Sequence, residues 1–249
     1  MNAVYVLWVR QLKRYMRSRS RIIGSLGQPV LYLLGFGLGF GPIFRKAGQG
    51  DYIQFLAPGV VGMTILFTAL FSGIDLIWDR QFGFLKETLV APVPRLMIMI
   101  GRTLGGATVA LIQGVIVVGI CFAVGFRPAN WSARPTALVY MALIAVMFTA
   151  LGTSIASVLA DFQGFQLVMS FLVMPIFFLS GALFPLNNTL KAIDIVASLN
   201  PLSYGVDGLR GALLGGGYHF GAATDLAVMS VITAVLLALG TYLFSRVQL

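Results

Sequence analysis

The sequence predicts an all-α integral membrane protein of about six transmembrane helices, and three observations carry that prediction. Hydrophobic residues fill 58% of the 249 positions and charged residues only 10%, with a mean hydropathy of +0.92. A soluble domain carries about 25% charged residues and could not bury this much apolar surface. Six separate stretches supply the ~20 mostly apolar residues a helix needs to cross hydrocarbon, at about 22–41, 55–77, 97–124, 135–160, 165–185 and 222–245. Finally, the 17 Lys and Arg fall unevenly on the segments between these stretches, the asymmetry that sets orientation in a bilayer.

Residues 1–20 alternate apolar and basic residues at helical spacing. Val4, Trp8, Leu12 and Tyr15 share one face, with Leu7 and Met16 beside them, and Arg10, Lys13, Arg14 and Arg17 take the other. The pattern predicts an interfacial amphipathic helix whose basic stems snorkel to an anionic leaflet; a solvated basic tail is the alternative. The long basic stretch and the full-length span after it do not read as a cleavable signal peptide. The first span contains GFGLGFG, where Gly35, Gly37, Gly39 and Gly41 form overlapping small-xxx-small pairs suited to close helix packing.

After the second span, Trp78, Phe82, Leu85 and Leu89 recur at i, i+4, i+7 and i+11, with Asp79, Arg80, Lys86 and Glu87 off that stripe. Pro92 and Pro94 forbid continuation, so 78–91 is expected to be a short amphipathic helix. Its apolar face would enter a groove on a partner protein or rest on the membrane surface. In the fifth span, Pro175, Ser180, Gly181 and Pro185 predict a kink or break near one end. The segment 186–217 then reads as two short helices. Leu186, Leu190, Ile193 and Val196 mark the first, and Asn200-Pro201 breaks the pair. Val206, Leu209 and Leu213 mark the second, where Asp207 and Arg210 are spaced to pair. Such a hairpin between spans five and six would line an exit or cap the surface.

Placing the N-terminus in the cytoplasm puts eleven Lys and Arg on the inner segments (Arg10, Lys13, Arg14, Arg17, Arg19, Arg21, Arg80, Lys86, Arg95, Arg102 and Arg246) and six outside. The majority predicts both termini cytoplasmic and an even number of spans. Several classes find no support. The one Cys, Cys121, forms no internal disulfide and no Cys metal site. There is no GxxxxGK[ST] phosphate loop, no HExxH and no carboxylate cluster, so no catalytic or metal residue is assigned. The positive charge is concentrated at the membrane-facing N-terminus and does not suggest nucleic acid. An ion-coupled secondary transporter or channel, the alternative reading, would carry ionisable groups deep in the spans and usually internal repeats; Asp75, Asp161 and Arg102 all sit near span ends.

With these segments in place, the chain resembles the permeases of type-2 ABC exporters, in particular those for daunorubicin resistance and nodulation-factor export. FLKETLVAPVPR, with Glu87, Pro92 and Arg95, is similar to the family's first cytoplasmic loop with its coupling helix. MPIFFLSGALFPL resembles its fifth span and exit. NPLSYGVDGLRGALLGG resembles its re-entrant outer segment, matching at Asn200, Pro201 and Arg210. The resemblance covers essentially the whole chain, 1–249, as one permease domain. It implies two permease copies, identical or paralogous, forming a pore above two ATPase subunits that bind ATP and Mg. This chain itself would then be no enzyme and would hold no cofactor. The resemblance further implies that Trp78, Phe82, Leu85, Lys86, Glu87, Leu89 and Arg95 couple to the ATPase in the cytoplasmic (inner) membrane. Asn200, Pro201, Asp207 and Arg210 would shape the outer re-entrant segment. An amphipathic substrate (drug, lipid, glycolipid or polysaccharide) would pass along Tyr32, Phe36, Phe40, Phe177 and Phe178; the aromatic spacing in span one reads equally as a belt or as ordinary packing.

Overall fold

The computed structural model describes residues 3–46, 50–84, 88, 90, 93–129, 133–159, 161–186 and 191–246, apart from the side chain of Arg21. Their ordered elements are helices: α1 (Ala3–Arg17), α2 (Arg19–Lys46), α3 (Tyr52–Phe71), α4 (Ile74–Gln81), α5 (Arg95–Val124), α6 (Arg134–Val158), α7 (Phe162–Phe178), α8 (Lys191–Leu199), α9 (Pro201–Leu214) and α10 (Ala222–Ser245). Among the described residues, five stretches are long and apolar enough to cross a membrane: Ile22–Lys46, Tyr52–Gln81, Arg95–Val124, Arg134–Val158 and Ala222–Ser245. The sixth expected span is represented by α7, shorter at 17 residues.

α3 is apolar on every face, and Leu56 through Leu66 are all buried. Such a helix belongs in the centre, and α2, α5, α6 and α9 surround it. α10 packs on α6; it buries Met229, Gly240 and Phe244 while Val231, Val235, Leu239 and Tyr242 face outward, as a lipid-facing helix requires. Arg95 Nη1 donates to the carbonyl of Ser245 at 2.5 Å, which brings the start of α5 and the end of α10 together. α1 lies against this same half of α5, and we call it the basic end. The opposite end gathers the start of α3 and the ends of α5 and α9: Gln54 Nε2 donates to Gly125 O, and Ala129 N to Leu213 O.

The structure departs from the sequence expectation in several places. α1 is helical, but its inward face is Leu7, Gln11 and Tyr15, one residue round from the expected stripe, and protein covers it. A Cβ on Gly105 would stand 2.7 Å from Gln11 Cβ, and one on Gly101 3.0 Å from Leu7 Cβ, so α1 seats in a glycine-lined trough along α5. Two of the polar contacts this buries are hydrogen bonds, the Tyr15 hydroxyl donating to Gln113 Oε1 and Trp8 Nε1 to Thr108 Oγ1, while Gln113 Nε2 is left without a partner. The GFGLGFG run packs closely within the chain at Gly37, where a Cβ would stand 3.3 Å from Ile53 Cγ1, while nothing lies within 4 Å of a Cβ on Gly35 or Gly39. The second span breaks at Ser72-Gly73. There a Cβ on Gly73 would meet Gly152 O at 2.4 Å and one on Gly152 would meet Leu70 O at 2.3 Å, so two backbones cross in contact.

The expected helix 78–91 is not one helix. Gln81 ends α4, and Phe82-Gly83 forms a turn with Gly83 at φ +80, a left-handed conformation that a bulky residue resists. Trp78 therefore belongs to the end of the second span. α7 stops at Phe178, and 179–184 runs on without helix to the expected boundary at 185, Gly181 having φ +71. In the hairpin expected between spans five and six, α8 buries only Ala197. Of the expected stripe Leu186 is buried ahead of α8, but Ile193 is half-buried, Val196 exposed and Leu190 outside the described residues, so the stripe does not continue along α8 as an inward face.

Candidate functional site

One face of α2 carries an aromatic ladder because Tyr32, Phe36, Phe40 and Phe44 recur every four residues. Ring centroids of Tyr32 and Phe36 lie 5.2 Å apart, and those of Phe36 and Phe40 5.6 Å. Phe177 of α7 meets Tyr32 edge-on at 5.8 Å, with Phe178 5.4 Å from Phe177. The five residues expected on a substrate path thus stand together. The ladder then crosses to α3, where Tyr52 lies 5.0 Å and Phe55 5.8 Å from Phe44. Phe44, Tyr52 and Phe55 were missed; continuing the four-residue spacing past the expected span end at 41 finds the first of them. An apolar groove of about 400 Å³ opens here, walled by Phe36, Phe40, Phe44, Phe178 and Pro185 among others. A concave aromatic surface of this kind takes the apolar part of a ligand.

At the end away from α1, each expected residue of the hairpin has a local role. Asn200 caps α9 by accepting from Leu202 N at 3.0 Å and donates to the carbonyl of Ile176 at 2.6 Å. It thereby satisfies one of the carbonyls left open where α7 ends. Pro201 takes the first helical position, where its missing N–H costs nothing. Asp207 and Arg210 do not pair, contrary to expectation. Both oxygens of Asp207 accept from the backbone N–H of His219, and Oδ2 also from that of Phe220. Arg210 turns the other way, donating from Nη2 to Gly181 O at 2.8 Å, with its guanidinium 4.0 Å over the ring of Phe55. Burial pulls the Arg210 guanidinium down to about 10, so it stays charged at neutral pH. His219 has Nε2 2.9 Å from Asp194 Oδ1. A polar pocket of about 310 Å³ lies against Arg210, Ser203, Phe55 and Phe44.

The basic end holds a buried charge cluster that the sequence reading did not assemble. Asp79 of α4 is 4% exposed and Arg102 of α5 3%; Asp79 Oδ2 accepts from Arg102 Nη2 at 2.6 Å and also from Arg10 of α1. Arg14 adds ion pairs to Asp75 at 3.5 Å and to Asp79 at 3.8 Å. Arg80 bonds the carbonyls of Leu159 and Ser157, each at 3.0 Å, and so ties α4 to the end of α6. Four helices are therefore clamped at the end of the second span, immediately before the loop expected to couple. The signal was present as acids on α4 spaced i, i+4 (Asp75, Asp79) and bases on α1 spaced likewise (Arg10, Arg14). Of the expected coupling residues, Trp78 and Phe82 are 41% and 71% exposed at this end. Arg95 is spent on Ser245, and Leu85, Lys86, Glu87 and Leu89 lie outside the described residues. A further acid, Asp225 of α10, is fully buried with neither oxygen bonded. Among the described residues no three His, Cys, Asp or Glu gather as a metal site.

Residues 2–214 match the family described as ABC-2 type transporter. The chain belongs to that family. Nodulation protein J of Rhizobium leguminosarum bv. trifolii is 28% identical over 213 residues, covering 85% of this chain and 78% of the relative. The inner membrane transport permease YadH of Escherichia coli is 29% identical over 219 residues, covering 86% and 83%. As an ABC-2 protein the chain is a multi-pass membrane component of an ABC exporter, its permease, rather than an ion-coupled transporter, and the family implies an ATP-binding partner subunit. The ABC-2 match takes in the charge cluster, the aromatic ladder and the α9 side of the polar pocket, and ends where α9 ends, before Gly217 and His219.

Proposed function

We propose that the chain is half of a pore that moves an amphipathic molecule (a drug, lipid, glycolipid or polysaccharide) across the inner membrane, in a dimer with a second copy or a paralogue. The observation that carries this reading is the aromatic groove between α2 and α7. Both helices leave apolar faces uncovered beside it: Leu31 and Leu38 are 71% and 68% exposed on α2, and Phe171 is 79% exposed on α7. Gly35 and Gly39 lie bare on α2, so another helix backbone can come close. A second permease covers these faces and encloses the groove, and lipid covers α10. The basic end faces the cytoplasm, with both termini inside, since most of the Lys and Arg stand there.

The ATPase subunit, which binds the ATP and Mg, docks under the loop after α4. Trp78 and Phe82 contribute apolar contact, and Lys86 and Glu87 charge. Closure of the ATPases pushes on α4, and the ion pairs of Asp79 carry the displacement to α1 and α5. The test is co-reconstitution with an ATP-binding subunit that co-purifies with this chain. Glu87→Arg should abolish amphiphile-stimulated ATP hydrolysis, and Phe36→Ala with Phe40→Ala should raise the amphiphile concentration needed. Unchanged complex formation and stimulation in Glu87→Arg would remove the coupling assignment.

A further inference from the structure

The polar pocket against α9 and the apolar groove against α2 share two walls, Phe44 and Pro185. The two hollows therefore adjoin, the first lined in part by charged and polar side chains and the second by apolar ones. Three side chains of the polar pocket carry charge, and two of these are already engaged. Asp51 caps α3 by accepting from Ile53 N, and Asp207 is held by two backbone N–H groups. The third, Arg210, makes no ion pair with either, although the nearby Asp207 carboxylate partly offsets its charge. Of its five N–H donors, one makes a hydrogen bond, to Gly181 O, and Nε is buried without a partner. Two turns earlier on the same face of α9, Ser203 is 1% exposed and its Oγ also has no partner. His219, on the same rim, is turned to Asp194 through Nε2.

A buried guanidinium with donors unspent, and an unpartnered hydroxyl in the lining of the same pocket, are costly until an anion arrives. Charge-assisted bonds from a planar guanidinium suit phosphate and carboxylate oxygens best. We propose that Arg210 and Ser203 form a headgroup site, selecting amphiphiles whose single anionic group, a phosphate ester or carboxylate, sits on an apolar tail that fills the aromatic groove. This rests on the groove being the substrate path, and it narrows the substrate class from amphipathic to anionic.

The test uses the permease in neutral phosphatidylcholine nanodiscs and three probes with the same tail: dodecyl phosphate, dodecyl maltoside and dodecyltrimethylammonium. Dodecyl phosphate should bind about tenfold more tightly than either, the yield of one or two charge-assisted bonds. Arg210→Gln should remove that advantage and leave dodecyl maltoside unchanged, Arg210→Lys should restore part of it, and Ser203→Ala should lose a smaller part. Phe40→Ala should weaken all three probes alike. Inorganic phosphate, lacking a tail, should compete poorly. Strong competition from phosphatidylglycerol in the disc would give the site to a resident lipid of the same chemistry, and its absence to a transported one. Equal binding of the three probes to the unaltered permease, or equal weakening of all three by Arg210→Gln and Ser203→Ala, would overturn the headgroup site while leaving the groove. Failure of every probe to bind would remove the groove as a substrate path and the headgroup site with it.

Discussion

Two buried carboxylates make opposite demands on their surroundings. Asp79 accepts from arginines of two helices, and one of these, Arg102, is itself buried. Removing one member of such a pair strands the other charge, at a cost of about 3–5 kcal/mol. Asp225 is as deeply buried, yet neither of its oxygens has a partner, and its ionised form gains no compensation for lost water. Asp79→Ala should therefore lower the thermal midpoint markedly, and adding Arg102→Met should recover part of the loss. Asp225→Asn should leave the midpoint unchanged or raise it. Size-exclusion profiles after heating in detergent read all three variants. Asp75 and Asp79 were each visible in the sequence as charges near a span end. Their pairing with Arg10 and Arg14 was not, because those partners lie more than 60 positions away and meet only after α1 folds against α5.

At the scale of elements, helix existence followed from apolar runs and helix ends did not. α4 ends at Gln81 because Phe82-Gly83 turns with positive φ, whereas the period of Trp78, Phe82, Leu85 and Leu89 continues across the turn as if nothing intervened. α1 illustrates the converse. Its amphipathicity was plain, but a hydrophobic stripe cannot tell lipid from a neighbouring helix. The glycines of α5 decide it, since they let Gln11 and Leu7 approach to within 3 Å of where a Cβ would stand. Gly105→Leu should push α1 off its trough at a cost of about 1–3 kcal/mol. Maleimide should then reach Cys at position 7 in a Leu7→Cys background, where it is excluded otherwise. Unaltered labelling would mean that α1 seats independently of the trough.

The molecule as a whole is a bundle around α3 with poorly covered faces on α2 and α7, flanking the aromatic groove, and on α10. If the α2 and α7 faces meet a second copy, Leu38→Cys should give a disulfide-linked dimer in membranes on mild oxidation, and Val235→Cys on the outward face of α10 should not. Efficient cross-linking at Val235 with none at Leu38 would move the interface to α10. The sequence by itself determined the membrane as solvent, the number of apolar runs, the N-terminal basic helix, the breaks at Pro175–Pro185 and Asn200-Pro201, and the aromatic spacing of Tyr32, Phe36 and Phe40. Each of these is a local property: composition, a period of three to four residues, or a backbone donor that proline lacks. Tertiary structure alone decided that α2 and α7 join their aromatics into one wall, that Asp207 leaves Arg210 for the His219 loop, and that Asp79 gathers arginines from two helices. Each of those joins side chains from segments distant in sequence, or chooses among partners equally spaced along a helix. That choice belongs to packing and to the burial of charge, and neither leaves a periodic trace in the chain.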